Sequence, residues 1–161
     1  MSEAITIRTA VEADVAVILQ FIRDLAKYEH LEHEVVATEG LLREALFGSR
    51  PYAEVALACL NGEPVGFALF FHNFSTFLGR PGIYVEDVFV RPEFRRNGFG
   101  RALFKYLAQK AVAEKCGRME WWVLDWNEPA INFYRGLGAA PMDEWTVQRL
   151  TGDALKSFAE S

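Results

Sequence analysis

Hydrophobic positions change period several times along the chain, and each change marks an element. Ile5-Thr6-Ile7-Arg8 alternates as a short strand does. Val15, Ile18, Leu19, Ile22, Leu25 and Ala26 then recur at intervals of three and four, the stripe of an amphipathic helix, and Thr9 and Glu12 have capping-box spacing before it. Thr38 precedes a second helix, Glu39 to Phe47, which stops near Gly48. From there the period shortens: Tyr52 to Leu60 and Pro64 to Phe71 read as strands joined by Asn61-Gly62, a dipeptide suited to the two positive φ angles of a type I′ turn. A loop, Asn73 to Gly82, leads to the apolar run Val85 to Val90. Leu103, Leu107 and Ala111 restore helical spacing up to Cys116-Gly117, and Met119 to Leu124 is rich in strand formers. Asn127 caps a further helix with Pro129 in its first turn and Gly136 and Gly138 at its exit. A last strand, about Trp145 to Leu150, precedes a short helix capped by Thr151.

This order predicts an α+β (mixed α/β) fold with helices flanking a mostly antiparallel sheet. One parallel pair arises where a helix separates the strand ending at Val90 from that at Trp121. A length of 161 residues predicts a single domain, 1–161, and 51% hydrophobic with 24% charged residues excludes a disordered chain. A net charge of −5 argues against nucleic acid as a partner. Cys59 and Cys116 stand far apart, with only His30, His33 and His72 as imidazoles, so no metal site is legible and no metal is expected. Met1-Ser2-Glu3-Ala4 opens no targeting segment and no stretch reaches membrane-spanning length. The expectation is a cytoplasmic protein with reduced thiols and no membrane partner.

The most informative stretch runs from Val85 to Leu103, a strand, a basic turn and a helix start. Unpaired N–H groups at a helix N-terminus hold phosphate well. Arg95, Arg96 and Arg101 add charge there, and Gly98 and Gly100 allow a ligand close to the main chain. The stretch is not a P-loop, because Gly100 is followed by Arg101-Ala102, and two glycines past mid-chain do not make a dinucleotide fingerprint. From these residues alone, an ordinary strand-to-helix turn with a solvated arginine face fits as well.

Arg95-Arg96-Asn97-Gly98-Phe99-Gly100 resembles the pyrophosphate loop, Arg/Gln-x-x-Gly-x-Gly/Ala, of the GNAT superfamily of N-acetyltransferases. The order of elements is similar across nearly the whole chain. Within the superfamily, Leu25-Ala26-Lys27-Tyr28-Glu29, Glu86-Asp87-Val88-Phe89-Val90 and Trp126-Asn127-Glu128-Pro129-Ala130-Ile131-Asn132-Phe133-Tyr134 resemble the spermidine/spermine (diamine) and thialysine N-acetyltransferase branch. The resemblance implies acetyl-CoA as co-substrate, held by Val88, Phe89, Val90, Arg95 to Arg101, Asn127 and Pro129, with the backbone of Val88 and Val90 pairing with the pantetheine arm as an added strand would. It implies Tyr134 as general acid towards the departing thiolate, where local sequence alone reads a packing tyrosine. It implies Glu86 as the carboxylate that handles the amine proton. Tyr28, Glu29, Glu86, Asp87 and Glu144 are the residues expected around a small-molecule amine, although Tyr28 to Glu34 also reads as a solvated helix end. Strand alternation allows only one of Glu86 and Asp87 to face that pocket.

The branch is typically a homodimer meeting through C-terminal strands, with Trp145 a candidate interface residue and Glu144 a candidate contribution to the neighbour's pocket. This chain departs from the polyamine enzymes where Ser75 and Phe77 stand in place of an acidic residue and a tryptophan. A thialysine-like amino acid is therefore as plausible an acceptor as a diamine or polyamine. Direct attack in a ternary complex is expected, since Cys59 and Cys116 have no obvious base beside them. The alternatives are acetylation of protein lysines or N-termini, and a silent acetyl-CoA sensor.

Overall fold

The computed structural model describes residues 4–161, so Met1 to Glu3 lie outside the described residues. Two compact units divide the chain, the first ending at Trp122 and the second running Val123–Ser161. The first contains β1 (Ile5–Thr9), α1 (Val15–Tyr28), α2 (Glu39–Phe47), β2 (Glu54–Leu60), β3 (Glu63–Ser75), β4 (Arg80–Val90), α3 (Phe99–Ala113) and β5 (Met119–Trp121). The strands form one sheet in sequence order, antiparallel except for the parallel pair β4 and β5. This is the mixed sheet that the pattern predicts.

The sheet has two covered faces because its central strands are apolar on both sides. On one face Ala56, Ala58, Val65, Ala68, Phe70, Ile83 and Val85 pack under Phe99, Leu103, Leu107 and Ala111 of α3. On the other, Val55, Leu57, Cys59, Phe67 and Phe89 meet Ile18 and Phe21 of α1 and Leu46 of α2. Phe21, absent from the predicted stripe, is fully buried and stacks on Phe67 at 5.5 Å. The Asn61-Gly62 turn forms with φ of 51° and 87°, the positive pair a type I′ turn requires. Thr38 caps α2, its hydroxyl accepting from the Leu41 N–H at 3.2 Å.

Several boundaries differ from the sequence reading. The capping box falls to Asp14 rather than to Thr9 and Glu12: the Asp14 carboxylate accepts from the Val11 N–H and takes two hydrogen bonds from Arg8, which hold it below the usual carboxylate range. The loop Asn73 to Gly82 is largely strand, since Asn73, Phe74 and Ser75 pair with Gly82, Pro81 and Arg80. Its tight turn closes when the Ser75 hydroxyl accepts from the Leu78 N–H and the Ser75 carbonyl from the Gly79 N–H. β5 is half its predicted length and pairs with β4 only from Ile83 to Val85.

The second unit contains α4 (Glu128–Gly136) and α5 (Gly152–Glu160). The predicted strand Trp145 to Leu150 does not form: these residues join no ladder and all are exposed. A strand needs a neighbour to satisfy its main-chain groups, and hydrophobicity alone does not supply one.

Candidate functional site

The site begins with one extra residue in β4. Phe70 pairs with Val85 and Leu69 pairs with Asp87, which leaves Glu86 without an opposite number. This β-bulge has two effects. Val85 and Val88, three residues apart instead of two, both pack on the α3 side, so Glu86 and Asp87 stand together on the other side. The alternation that predicted only one of them at the pocket is broken.

The bulge also reverses which main-chain groups face which neighbour. Before it, the Ile83 N–H donates to Arg118 at 3.0 Å and the Pro81 carbonyl accepts from Gly117 at 2.9 Å, both towards β5. After it, the Arg91 N–H donates to Val65 at 2.9 Å on the β3 side. By antiparallel alternation the polar groups of Val88 and Val90 now point to the β5 side, yet β5 pairs with β4 only from Ile83 to Val85. That edge has no strand beside it among the described residues. It suits an extended amide-bearing arm.

Glu86 is exposed, whereas Asp87 is largely covered. Burial, then the charges of Glu86 and Glu29, push the Asp87 carboxyl up to about 7. Burial also raises Glu29. None of the three carboxyls forms an ion pair with a basic side chain among the described residues. Three acids sharing a partly dry space without a counter-ion favour a cationic guest. Aromatic rings extend the same face: Tyr84 lies 4.9 Å from Phe71 and meets Trp122 edge-on at 5.9 Å. Burial and the charges of Glu86, Glu120 and Asp87 push its phenol up to about 12. Sequence reasoning missed Tyr84, Phe71 and Trp122, although Tyr84 lies two residues before Glu86 and hence on its side of the strand.

Between β4 and α3, Arg96 takes φ of 64° and Gly98 φ of 88°, a left-handed position that favours glycine. Asn97 ties the loop by donating to the Phe94 and Arg95 carbonyls at 3.2 and 3.3 Å. α3 starts without a side-chain cap or an acidic residue in its first turn. A Cβ built on Gly98 or Gly100 would meet nothing within 4 Å, so an open cradle lies over both. Phe99 and Phe89, predicted among the cofactor contacts, bury their rings in the two cores. Only their main chain is available.

Arg95 is also turned away from the cradle. Its Nε donates to the Val90 carbonyl at 3.0 Å, and its guanidinium lies 4.8 Å from the Tyr28 ring centre and 5.4 Å from that of Phe89. It clamps the end of α1 against the end of β4, beside the acidic cluster. Arg96 and Arg101 are exposed. Arg95 packs on Tyr28 at the end of α1, and the neighbouring Glu29 lies near Glu86 and Asp87 of the bulge.

In the second unit, Asn127 is buried and its Oδ1 accepts from the Ala130 N–H at 3.4 Å, starting α4 with Pro129 in its first turn. Tyr134 is half-buried, its ring 5.7 Å from that of Phe133. Glu144 lies in an exposed turn closed by the Trp145 N–H on the Met142 carbonyl. In the first unit, burial raises the Cys116 thiol, so it makes a poor nucleophile even though His72 lies within 4.8 Å.

A profile of the acetyltransferase (GNAT) family matches residues 19–139. The chain belongs to that family. The L-ornithine N5-acetyltransferase of Arabidopsis thaliana is 36% identical over 94% of this chain and 86% of its own length. The thialysine N-epsilon-acetyltransferase of Bos taurus is 37% identical over 96% and 97%. Among solved structures, an integron cassette protein from the mobile metagenome of V. cholerae superposes with a TM-score of 0.82 at 25% identity, covering 99% of this chain and all of that one. GNAT enzymes use acetyl-CoA as co-substrate, and the residues here fit it: an open glycine cradle, uncapped helix N–H groups, two exposed arginines and, at Val88, a strand edge with no strand beside it among the described residues. No helix among the described residues is long and apolar enough to cross a membrane.

Proposed function

We propose that this protein transfers the acetyl group of acetyl-CoA to the primary amine of a small cationic molecule, a diamine, a polyamine or a thialysine-like amino acid. The neutral amine attacks the thioester carbonyl directly, the carbon–sulfur bond breaks, and the thiolate leaves with a proton from Tyr134. Glu86, exposed at the bulge, takes the amine proton; Asp87 and Glu29 hold the cation. The observation that carries this reading is the β4 bulge, which sets Glu86 and Asp87 together on one side of the sheet with Glu29 nearby and no ion pair to any of the three among the described residues. Relatives named for thialysine and ornithine support the substrate class. Release of CoA thiol across diamines, polyamines, ornithine, thialysine and peptides is the test. Turnover confined to peptides would make it a protein acetyltransferase, and acetyl-CoA binding without thiol release would make it a sensor. The family match runs through both units, which supports one domain over 1–161. A cytoplasmic location without a resident metal in the catalytic site remains part of this reading.

The arginines of the loop have separable roles. Arg96→Ala should weaken acetyl-CoA binding by the worth of a charge-assisted contact, about 1.5–3 kcal/mol, and Gly98→Asp should be worse because it adds strain and like charge. Arg95→Ala should instead raise the acceptor KM through Tyr28 and leave acetyl-CoA affinity nearly unchanged. Calorimetric titration of CoA beside acceptor kinetics distinguishes the two patterns, and a CoA defect confined to Arg95→Ala would return Arg95 to the phosphate.

Exposed apolar side chains at Met142, Trp145, Val147, Leu150, Leu155 and Phe158 in the second unit support a homodimer. If Glu144 completes the neighbour's acceptor pocket, Glu144→Ala raises the acceptor KM without affecting acetyl-CoA. Sedimentation of a fully active monomer would reject the shared pocket.

A further inference from the structure

On the α3 side of the sheet, away from the carboxyls of the β4 bulge, three different metal-binding side chains converge. His72 projects from β3, Glu114 follows the last turn of α3, and Cys116 begins the link to β5. One donor atom from each lies within 4.8 Å of the others. His72 lies about 40 residues before the Glu114-Lys115-Cys116 segment, and their assembly depends on α3 crossing back over the sheet. We propose that His72, Glu114 and Cys116 form a site for a divalent cation of the zinc class, tying β3 to the end of α3.

The donor set selects the ion. Imidazole, carboxylate and thiolate together suit zinc or cobalt, whereas magnesium and calcium take oxygen donors. The outer contacts are those a ligated site needs. The second ring nitrogen of His72, Nδ1, faces Glu54 at 3.9 Å, while Lys110 bonds the other carboxylate oxygen of Glu114 at 2.7 Å and leaves Oε2 towards the histidine. Such partners fix the ring and the carboxylate in their ligating orientations.

Without an ion, His72 Nε2 and Glu114 Oε2 bond each other at 2.6 Å. Binding exchanges that hydrogen bond for two metal bonds, so these atoms part slightly and the thiol closes in, until the donors stand roughly 3.3–3.7 Å apart around a tetrahedral centre. His72 and Glu114 are exposed and Cys116 is half-buried, so rotamer adjustments of the first two bring their donors to the thiol. The thiol proton and the Nε2 proton of His72 are released to solvent as the metal–sulfur and metal–nitrogen bonds form, His72 keeping a proton on Nδ1 towards Glu54, and water fills the fourth position.

Titration of the full-length protein with cobalt(II) alone tests this. The expected result is one ion per chain, with a thiolate-to-cobalt charge-transfer band in the near ultraviolet and tetrahedral bands in the visible. Cys116→Ser should abolish the charge-transfer band, and His72→Ala and Glu114→Gln should each weaken binding at least tenfold. Zinc should raise the melting temperature of the wild type and not of Cys116→Ser, with magnesium inert for both. Far-ultraviolet dichroism of the metal-free variants checks that each has folded. No charge-transfer band in the wild type, or one that survives in Cys116→Ser through the buried Cys59, overturns the site. Because the readouts are spectral and thermal, this test is independent of the acetyl-transfer reading.

Discussion

Replacing Tyr134 with phenylalanine should lower kcat by roughly 10²–10⁴-fold while leaving acetyl-CoA affinity nearly unchanged, the range that general acid help supplies. The substitution removes one oxygen and keeps the ring beside Phe133, and α4 keeps the Asn127 cap and Pro129 that start it. The fold should therefore survive, and the loss should be chemical. The phenolic O–H is a hydrogen-bond donor and can give its proton to sulfur. The size of the fall reports how much the thiolate needs it. A CoA thiol is acidic enough to depart partly unprotonated, which pulls the loss towards the small end of the range. Unchanged kcat would make Tyr134 a packing residue and leave protonation to water.

Local chemistry explains which parts of this protein could be read in advance. Asn61-Gly62 and Thr38 act through their own backbone and nearest neighbours, and both serve as the sequence suggests. The Arg95-to-Gly100 loop was legible for the same reason, since its positive φ at Gly98 and uncapped helix start are local features. Its first arginine was not, because whether a long side chain reaches phosphate or turns onto Tyr28 depends on where α1 ends in space. The bulge is a deeper omission. Nothing in Val85-Glu86-Asp87-Val88 marks an extra residue, since a bulge is a property of two strands in register. It nevertheless decides that both acids share a side and which main-chain groups of β4 face away from β3. The absent strand at Trp145 to Leu150 has the opposite cause, an apolar pattern with no partner in the described chain.

The buried acid at the bulge should reveal itself through pH. Asp87 has an ordinary carboxyl near 3.8 when unfolded and one pushed up to about 7 when folded, by burial first and by Glu86 and Glu29 after it. Between those values the folded state keeps a proton that the unfolded state has released. Stability is therefore greatest at the acid end of the window and is lost as pH rises towards 7. About three units at ~1.4 kcal/mol each set a ceiling of about 4 kcal/mol for the loss. Asp87→Asn carries no charge at any pH, so its contribution should stay flat, and the variant should be more stable than the wild type at pH 8. Urea unfolding from pH 4 to 8 measures this. The same substitution should damage function, because an ammonium guest loses a charged partner worth about 1.5–3 kcal/mol. Acceptor kcat/KM should fall about 10–100-fold with acetyl-CoA binding intact. The wild-type rise in acceptor kcat/KM through pH 7 should be missing from the variant. A gain in stability coupled to loss of acceptor use would mark Asp87 as an acid kept buried, against the preference of the fold, for the cation it receives. If Asp87→Asn is less stable at pH 8 and acetylates amines at the wild-type rate, the carboxyl is a structural hydrogen-bonding group and the acceptor site belongs to Glu86 and Glu29 alone.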